Sequence, residues 1–192
     1  TRCDNSCKTG IIFYETDFRM KGFFELCVVR FEESEQDLNR LDAAIGDGDH
    51  GSTILKGLRA AADDIDNPEK AFRKAAGGAS GSLFAQVINA LMNITDGAPI
   101  GPELNDAAKR INTLGQAVQG DKTMLDALIP ASKAETPLAA AAAANLGRLA
   151  TKDMIARRGR ARYVEGAGLG HIDAGATSVG LLLEIYAGWR SK

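Results

Sequence analysis

The chain has 192 residues, 45% hydrophobic and 25% charged, with a net charge of -2, which is the profile of one globular domain with a substantial core. That balance excludes a general nucleic-acid or membrane-surface binder, and no apolar run approaches the roughly 20 residues that span a bilayer. Polar residues break the first apolar stretch, so no signal-peptide pattern opens the chain and a cytoplasmic location is expected.

The sequence starts at Thr1 rather than Met, as in a processed form, a fragment, or one part of a longer polypeptide. Its three cysteines, Cys3, Cys7 and Cys27, are odd in number and crowd into the first 27 residues. Cys3-x-x-x-Cys7 lacks the second ligand pair of a zinc site, so reduced thiols are expected.

In chain order, residues 11–14 and 23–31 carry the only β-branched and aromatic runs that could be strands. Phe23–Glu33 runs into Ser34–Leu41 without a break, so a helix is expected from about Phe23 to Leu41. Thr53–Asp64 has helical spacing, with Ile54, Leu55 and Leu58 on one face. Asn67-Pro68-Glu69 reads as an N-cap with proline at the first helical position, and Gly77-Gly78 closes that helix. Ser80–Asn93 carries an apolar stripe of Leu83, Phe84, Val87, Ile88 and Leu91.

Glu103–Gly115 and Met124–Lys133 follow, the second interrupted at Pro130. Thr136-Pro137 opens an alanine-rich helix expected to run to about Arg158, with six consecutive alanines from Ala139 to Ala144. Gly175–Trp189 is the last. The fold class is all-α, a bundle or barrel with glycine-rich loops between helices.

The densest chemistry lies in Leu41-Asp-Ala-Ala-Ile-Gly-Asp-Gly-Asp-His-Gly51. Asp42, Asp47 and Asp49 share a stretch with glycines at 46, 48 and 51. Clustered carboxylates repel one another unless a cation lies among them. Hard oxygen ligands favour Mg²⁺, Mn²⁺ or Ca²⁺. Gly46–Gly51 formally matches G-x-G-x-x-G, but no buried strand precedes it and two of its variable positions are aspartates, so a dinucleotide fold is excluded. An EF-hand fails because its twelfth position is Leu58.

Three further loops shift the balance toward a ligand. Gly77-Gly-Ala-Ser-Gly81, Gly120-Asp-Lys-Thr-Met124 and Gly170-His-Ile-Asp-Ala-Gly-Ala-Thr177 each stand at a helix junction, where free N–H groups can bind an anion. The last has the glycine spacing of a phosphate loop but alanine in place of its lysine. Both histidines, His50 and His171, fall in such loops. Arg157-Arg-Gly-Arg-Ala-Arg162 reads either as charges at a helix C-terminus or as a source of phosphate contacts, Arg160 among them. Together the loops suggest a nucleotide held by divalent metal and helix N-termini.

At this point the chain resembles a known family. The five segments Leu41–Gly51, Gly77–Gly81, Gly120–Leu128, Gly159-Arg-Ala-Arg-Tyr163 and Gly170–Ser178 are similar, in the same order, to the nucleotide-binding L subunit or L domain of dihydroxyacetone kinase. As a set over residues 34–190 they are specific. The resemblance implies a closed barrel of about eight antiparallel helices with the nucleotide in the loops at one end. It implies two Mg²⁺ ions on Asp42, Asp47 and Asp49, which with Arg160 form the catalytic set. It implies ADP or ATP lined by His50, Gly51, Ser52, Thr53, Ala79 and Ser80. Gly115 and Met124 match positions near adenine and ribose, and Arg160, Asp173, Ala174 and Gly175 the remaining contacts.

The implied partner is a K subunit or domain holding dihydroxyacetone or a related short ketose, to which this chain delivers the phosphoryl group. Where ADP stays bound, a phosphohistidine protein of the sugar phosphotransferase system is implied as well; in the other variant ATP exchanges. The resemblance covers residues 31–192 as an L-type barrel and leaves 1–30 as an atypical N-terminal segment, with membership of the first helix as the alternative. Ala174 stands where the family usually has proline. Two other functions compete. A fatty-acid-kinase-like nucleotide domain usually has threonine after the acidic loop, whereas this chain has His50. A nucleotide-loaded regulatory module binding a transcription factor would be separated by its partner.

Overall fold

The computed structural model describes residues 6–95 and 97–191, with side chains in the first helix from Met20 onward. Among these residues there are eight α-helices and no strand: α1 Ser6–Ala43, α2 His50–Asp63, α3 Pro68–Ala76, α4 Gly78–Thr95, α5 Ile100–Gly115, α6 Leu125–Ala131, α7 Pro137–Ala150 and α8 Ala174–Arg190. Each helix packs on the next, and α8 returns to α1, so the eight helices form a ring around a shared core. Among the described residues, no helix is long and apolar enough to cross a membrane.

The first helix is the longest wall of this ring, about 57 Å at the usual rise per residue. Met20, Phe23, Phe24, Cys27, Phe31 and Leu38 recur at helical spacing and are buried. Phe23 meets Tyr186 edge-on at 5.5 Å and Trp189 at 5.3 Å, which seals α1 to α8. Burial raises the Cys27 thiol well above its ordinary pKa, so it packs as a small hydrophobe. Cys3 lies outside the described residues, as does the side chain of Cys7.

Several boundaries depart from the sequence expectation. Residues 11–14 are helical, and α1 takes in Ser6 through Ala43 as one helix, so residues 6–30 are continuous with the wall that follows them. Asn67 precedes α3 as expected, but its side chain makes no capping bond. Thr136 does cap α7, accepting from the Ala139 N–H at 3.3 Å.

The largest departure is at the far end of α7. The helix stops at Ala150 and passes through a 3₁₀ turn, Thr151–Asp153, rather than running to Arg158. Local propensity is overruled by tertiary bonds. The Thr151 hydroxyl donates back to the Arg148 carbonyl at 2.5 Å and accepts the Asp173 N–H at 2.9 Å, while the Thr151 carbonyl accepts from Lys122. Residues 154–173 therefore leave the ring as a loop with two further 3₁₀ turns, Arg160–Tyr163 and Glu165–Gly168.

Candidate functional site

The acidic loop is organised by one of its own carboxylates. Asp42 lies in the last turn of α1, and its Oδ2 accepts the N–H groups of Gly48 at 2.8 Å and Asp49 at 3.2 Å. Gly48 sits at φ +79°, a conformation glycine reaches without a Cβ penalty. This wrapping sets Asp42, Asp47 and Asp49 so that each offers one oxygen within 4.8 Å of the others. Arg160 reaches across from the 154–173 loop to hydrogen-bond Asp47, with Asp49 at 4.0 Å.

Charge separates the two exposed aspartates. Desolvation pushes the Asp47 carboxyl up, but the Arg160 guanidinium and hydrogen bonds outweigh it and hold the group below the usual range. Asp49 is pushed up by desolvation and by the neighbouring Asp47 charge. His50 begins α2 behind them, buried, with Nε2 2.9 Å from the Ser178 hydroxyl and its ring on Phe84. Burial lowers its pKa to about 4, with Arg160 reinforcing the shift and Asp42 opposing it. The imidazole is therefore neutral at physiological pH.

These groups form one end of a cleft of about 600 Å³, a size that suits a small-molecule ligand. Two further helix N-termini open onto it, beside that of α2. Gly77, Gly78, Ala79 and Ser80 bring the first turn of α4, whose N–H groups have no intrahelical acceptor. Asp173, Ala174 and Gly175 bring the first turn of α8, where Asp173 caps by accepting the Ala176 N–H at 2.7 Å. Ala174 occupies the first helical position, where proline and alanine are both well tolerated. Leu83, Phe84, Ile111, Gly115, Ala117 and Met124 make the apolar half.

Of the residues singled out in the sequence, Asp42, Asp47, Asp49, His50, Thr53, Ala79, Ser80, Gly115, Met124, Arg160, Asp173, Ala174 and Gly175 line this one cleft. Gly51 and Ser52 do not. Gly51 lies against α1, where a Cβ would stand 2.4 Å from the Glu35 carbonyl oxygen. The Ser52 hydroxyl donates to Glu35 at 2.7 Å, and its N–H to Asn39 at 3.1 Å. Both fasten α2 to α1 beside the acidic loop.

Sequence reasoning missed Lys122, Thr123 and Arg158, which also line the cleft. Arg158 is held 3.8 Å from the buried Asp121 carboxylate. It missed Asp126 too, which accepts the N–H groups of Gly120 at 2.5 Å and Thr123 at 2.7 Å and so shapes the turn before α6. Thr123-x-x-Asp126 is a capping-box spacing, a signal that was present in the chain.

Desolvation raises the Asp173 carboxyl from 3.8 to about 7, with Asp126 and Asp42 adding to it and the Ala176 N–H and Lys122 opposing. A carboxyl raised on folding binds its proton more tightly in the folded state, so stability falls as pH rises from about 4 to about 7. Asp173→Asn can still cap α8 but cannot ionise. Its stability advantage over the parent should grow between pH 5 and pH 7 and then level off; parallel denaturation profiles would contradict this.

The family model for the DAK2 domain matches residues 44–188, most of the chain. The chain is a member of the DAK2 domain family. It is 31% identical to the ADP-binding subunit DhaL of a PEP-dependent dihydroxyacetone kinase from Escherichia coli, over 82% of this chain and 89% of that protein. It is 32% identical to a D-erythrulose kinase of Mycolicibacterium smegmatis, over 85% of this chain and 34% of that one.

Among solved structures, the dihydroxyacetone kinase from C. freundii in complex with AMP-PNP and Mg²⁺ superposes with a TM-score of 0.67 at 27% identity, covering 90% of this chain and 33% of that one. This DAK2 chain thus spans about a third of the length of the erythrulose kinases it matches. The L-type resemblance read from its motifs and the all-helical fold both hold.

Proposed function

We propose that this DAK2 chain is the nucleotide-bearing part of a ketose kinase, acting in the cytoplasm on dihydroxyacetone or a related short ketose such as erythrulose. The observation that carries the reading is the convergence of three carboxylates, two helix N-termini and an apolar slot on one cleft. The relatives named for ADP binding and for dihydroxyacetone and erythrulose phosphorylation support it. So does the fold shared with a kinase solved with AMP-PNP and Mg²⁺.

In this reading Asp42, Asp47 and Asp49 hold two Mg²⁺ ions, since their oxygens are hard donors already gathered within 4.8 Å. When bound, the metal neutralises phosphate oxygens and orients the phosphoryl group for transfer. The first-turn N–H groups at Ala79, Ser80, Ala174 and Gly175 bind phosphate oxygens, helped by the helix dipoles. His50 and Thr53 border the phosphates. Met124 and the Gly115 wall take the flat apolar base. Asp47 and Asp49 hold Arg160 over the same end, where its guanidinium can shift to an anionic phosphate.

The acceptor ketose is held on a K-type partner subunit or domain, with this chain supplying the donor. The protein, mixed with a K-type partner, Mg²⁺, ATP and dihydroxyacetone or erythrulose, should form the phosphate ester. No transfer to either ketose, with ATP or with a phosphohistidine protein of the sugar phosphotransferase system as donor, would overturn the reading. Retention of labelled ADP through several turnovers would assign the variant that a phosphohistidine protein recharges, and exchange would assign the ATP variant. Arg160→Ala should weaken nucleotide binding about tenfold, the scale of one charge-assisted bidentate contact, with unchanged helicity.

A further inference from the structure

The buried lysine of the 118–126 turn is an unexplained feature of the cleft. Lys122 is 1% exposed and sits at φ +61°, a left-handed backbone that is unfavourable for a residue with a side chain. A buried ammonium also loses hydration, and burial lowers its pKa against the opposing pull of Asp173, Asp126 and Asp153. Such a residue persists where its surroundings fix it.

Its partners say what it is for. The ammonium donates to the backbone carbonyls of Thr151 and of His171, residues at the two ends of the loop that carries Arg160. The loop is stitched at the same level by Gly170 N–H to the Lys152 carbonyl at 2.8 Å and Asp173 N–H to the Thr151 hydroxyl at 2.9 Å. Further out, Ala156 N–H bonds the Ala167 carbonyl at 2.8 Å, and Arg157 N–H bonds the Asp121 carbonyl at 3.1 Å. The Lys122 stem also packs beneath the loop: a Cβ on Gly168 would lie 3.0 Å from Lys122 Cε.

We propose that Lys122 is a positioning residue, clamping both ends of the 151–171 loop so that Arg160 is held over the Asp47–Asp49 carboxylates. A lysine can bridge two carbonyls in this way because it brings three donors and no acceptor. Methionine of similar length would leave both carbonyls unmet by any side chain and release the loop base.

Hydrogen exchange on Lys122→Met tests the clamp without any ligand. Exchange should rise within residues 152–171 and stay at the parent level in α2, α4 and α5. No rise in 152–171, or an equal rise throughout, would overturn the proposal. Should Lys122→Met fail to fold, Lys122→Gln, whose shorter side chain cannot reach both carbonyls, must show the same local rise.

A double-mutant cycle then asks whether the effect passes through Arg160, and this step rests on the nucleotide reading. Lys122→Met should weaken Mg²⁺–ADP binding about tenfold in the parent but less than about twofold in an Arg160→Ala background, as expected for coupled positions. Full additivity would mean that Lys122 does not act through Arg160. A parent protein that binds no ADP would defeat the nucleotide reading instead, and the exchange result would still decide the clamp.

Discussion

Asp47→Asn and Asp49→Asn each lower Mg²⁺-dependent ADP binding by at least about a hundredfold in this account. Loss of groups that merely support a metal ligand already costs roughly 10–100-fold, and each of these replaces a charged ligand. Circular dichroism should not change, because both side chains are about half exposed or more and neither packs in the core. Asp106→Asn, an exposed carboxylate paired with Lys109 at 2.8 Å, provides the control and should bind ADP as the parent does. Parent-level ADP affinity in both loop variants would remove the metal assignment.

The largest stability effect is expected outside the lining of the cleft, at Gly147. Here α7 crosses the turn into α6 so closely that a Cβ on Gly147 would lie 2.0 Å from the Asp126 carbonyl oxygen. Both sides of this contact are backbone, so relief requires the helices to part. Gly147→Ala should cost about 3 kcal/mol, the upper range for overpacking, and lower Tm by roughly 6–12 °C for a chain of this length.

The opposite sign is expected at Gly188, a helical glycine of α8 with nothing within 4 Å of its would-be Cβ. Gly188→Ala should stabilise by about 0.5–1 kcal/mol through helix propensity alone. Thermal unfolding of the two variants side by side checks both, and a Gly147→Ala protein as stable as the parent would contradict the packing described for α6 and α7. Because Asp126 also shapes the turn that carries Lys122 and Met124, Gly147→Ala should weaken ADP binding as well.

Much of this architecture is legible in the chain because its signals are local. Pro68 and Gly77 bracket α3, Thr136 caps α7, and the apolar stripe from Leu83 to Leu91 marks α4. The acidic loop is legible for the same reason, since all three of its carboxylates lie within eight residues of one another. What was not legible depends on partners remote in sequence. The end of α7 is set by Thr151 bonding to Lys122 and Asp173, which no window of local propensity contains.

Lys122 reads as an ordinary loop lysine until its carbonyl partners, 29 and 49 residues away, are known. Arg157–Arg162 was equally consistent with a helix C-terminus, and only the fold turns Arg160 toward Asp47 while leaving Arg162 on the exposed ring of Tyr163. The motif position of Ser52 carries no sign of its bonds to Glu35 and Asn39, which tie α2 to α1.

If Asp42, Asp47 and Asp49 are gathered for a metal-bound nucleotide rather than for the fold, nucleotide affinity must depend on the metal while the fold does not. Calorimetric titration of the protein with ADP, in Mg²⁺ and again in excess chelator, tests it most directly. One ADP per chain is expected in Mg²⁺, with a loss of at least about a hundredfold in affinity without it and no change in helicity. Equal affinity in the two conditions, or unfolding on chelation, would contradict it.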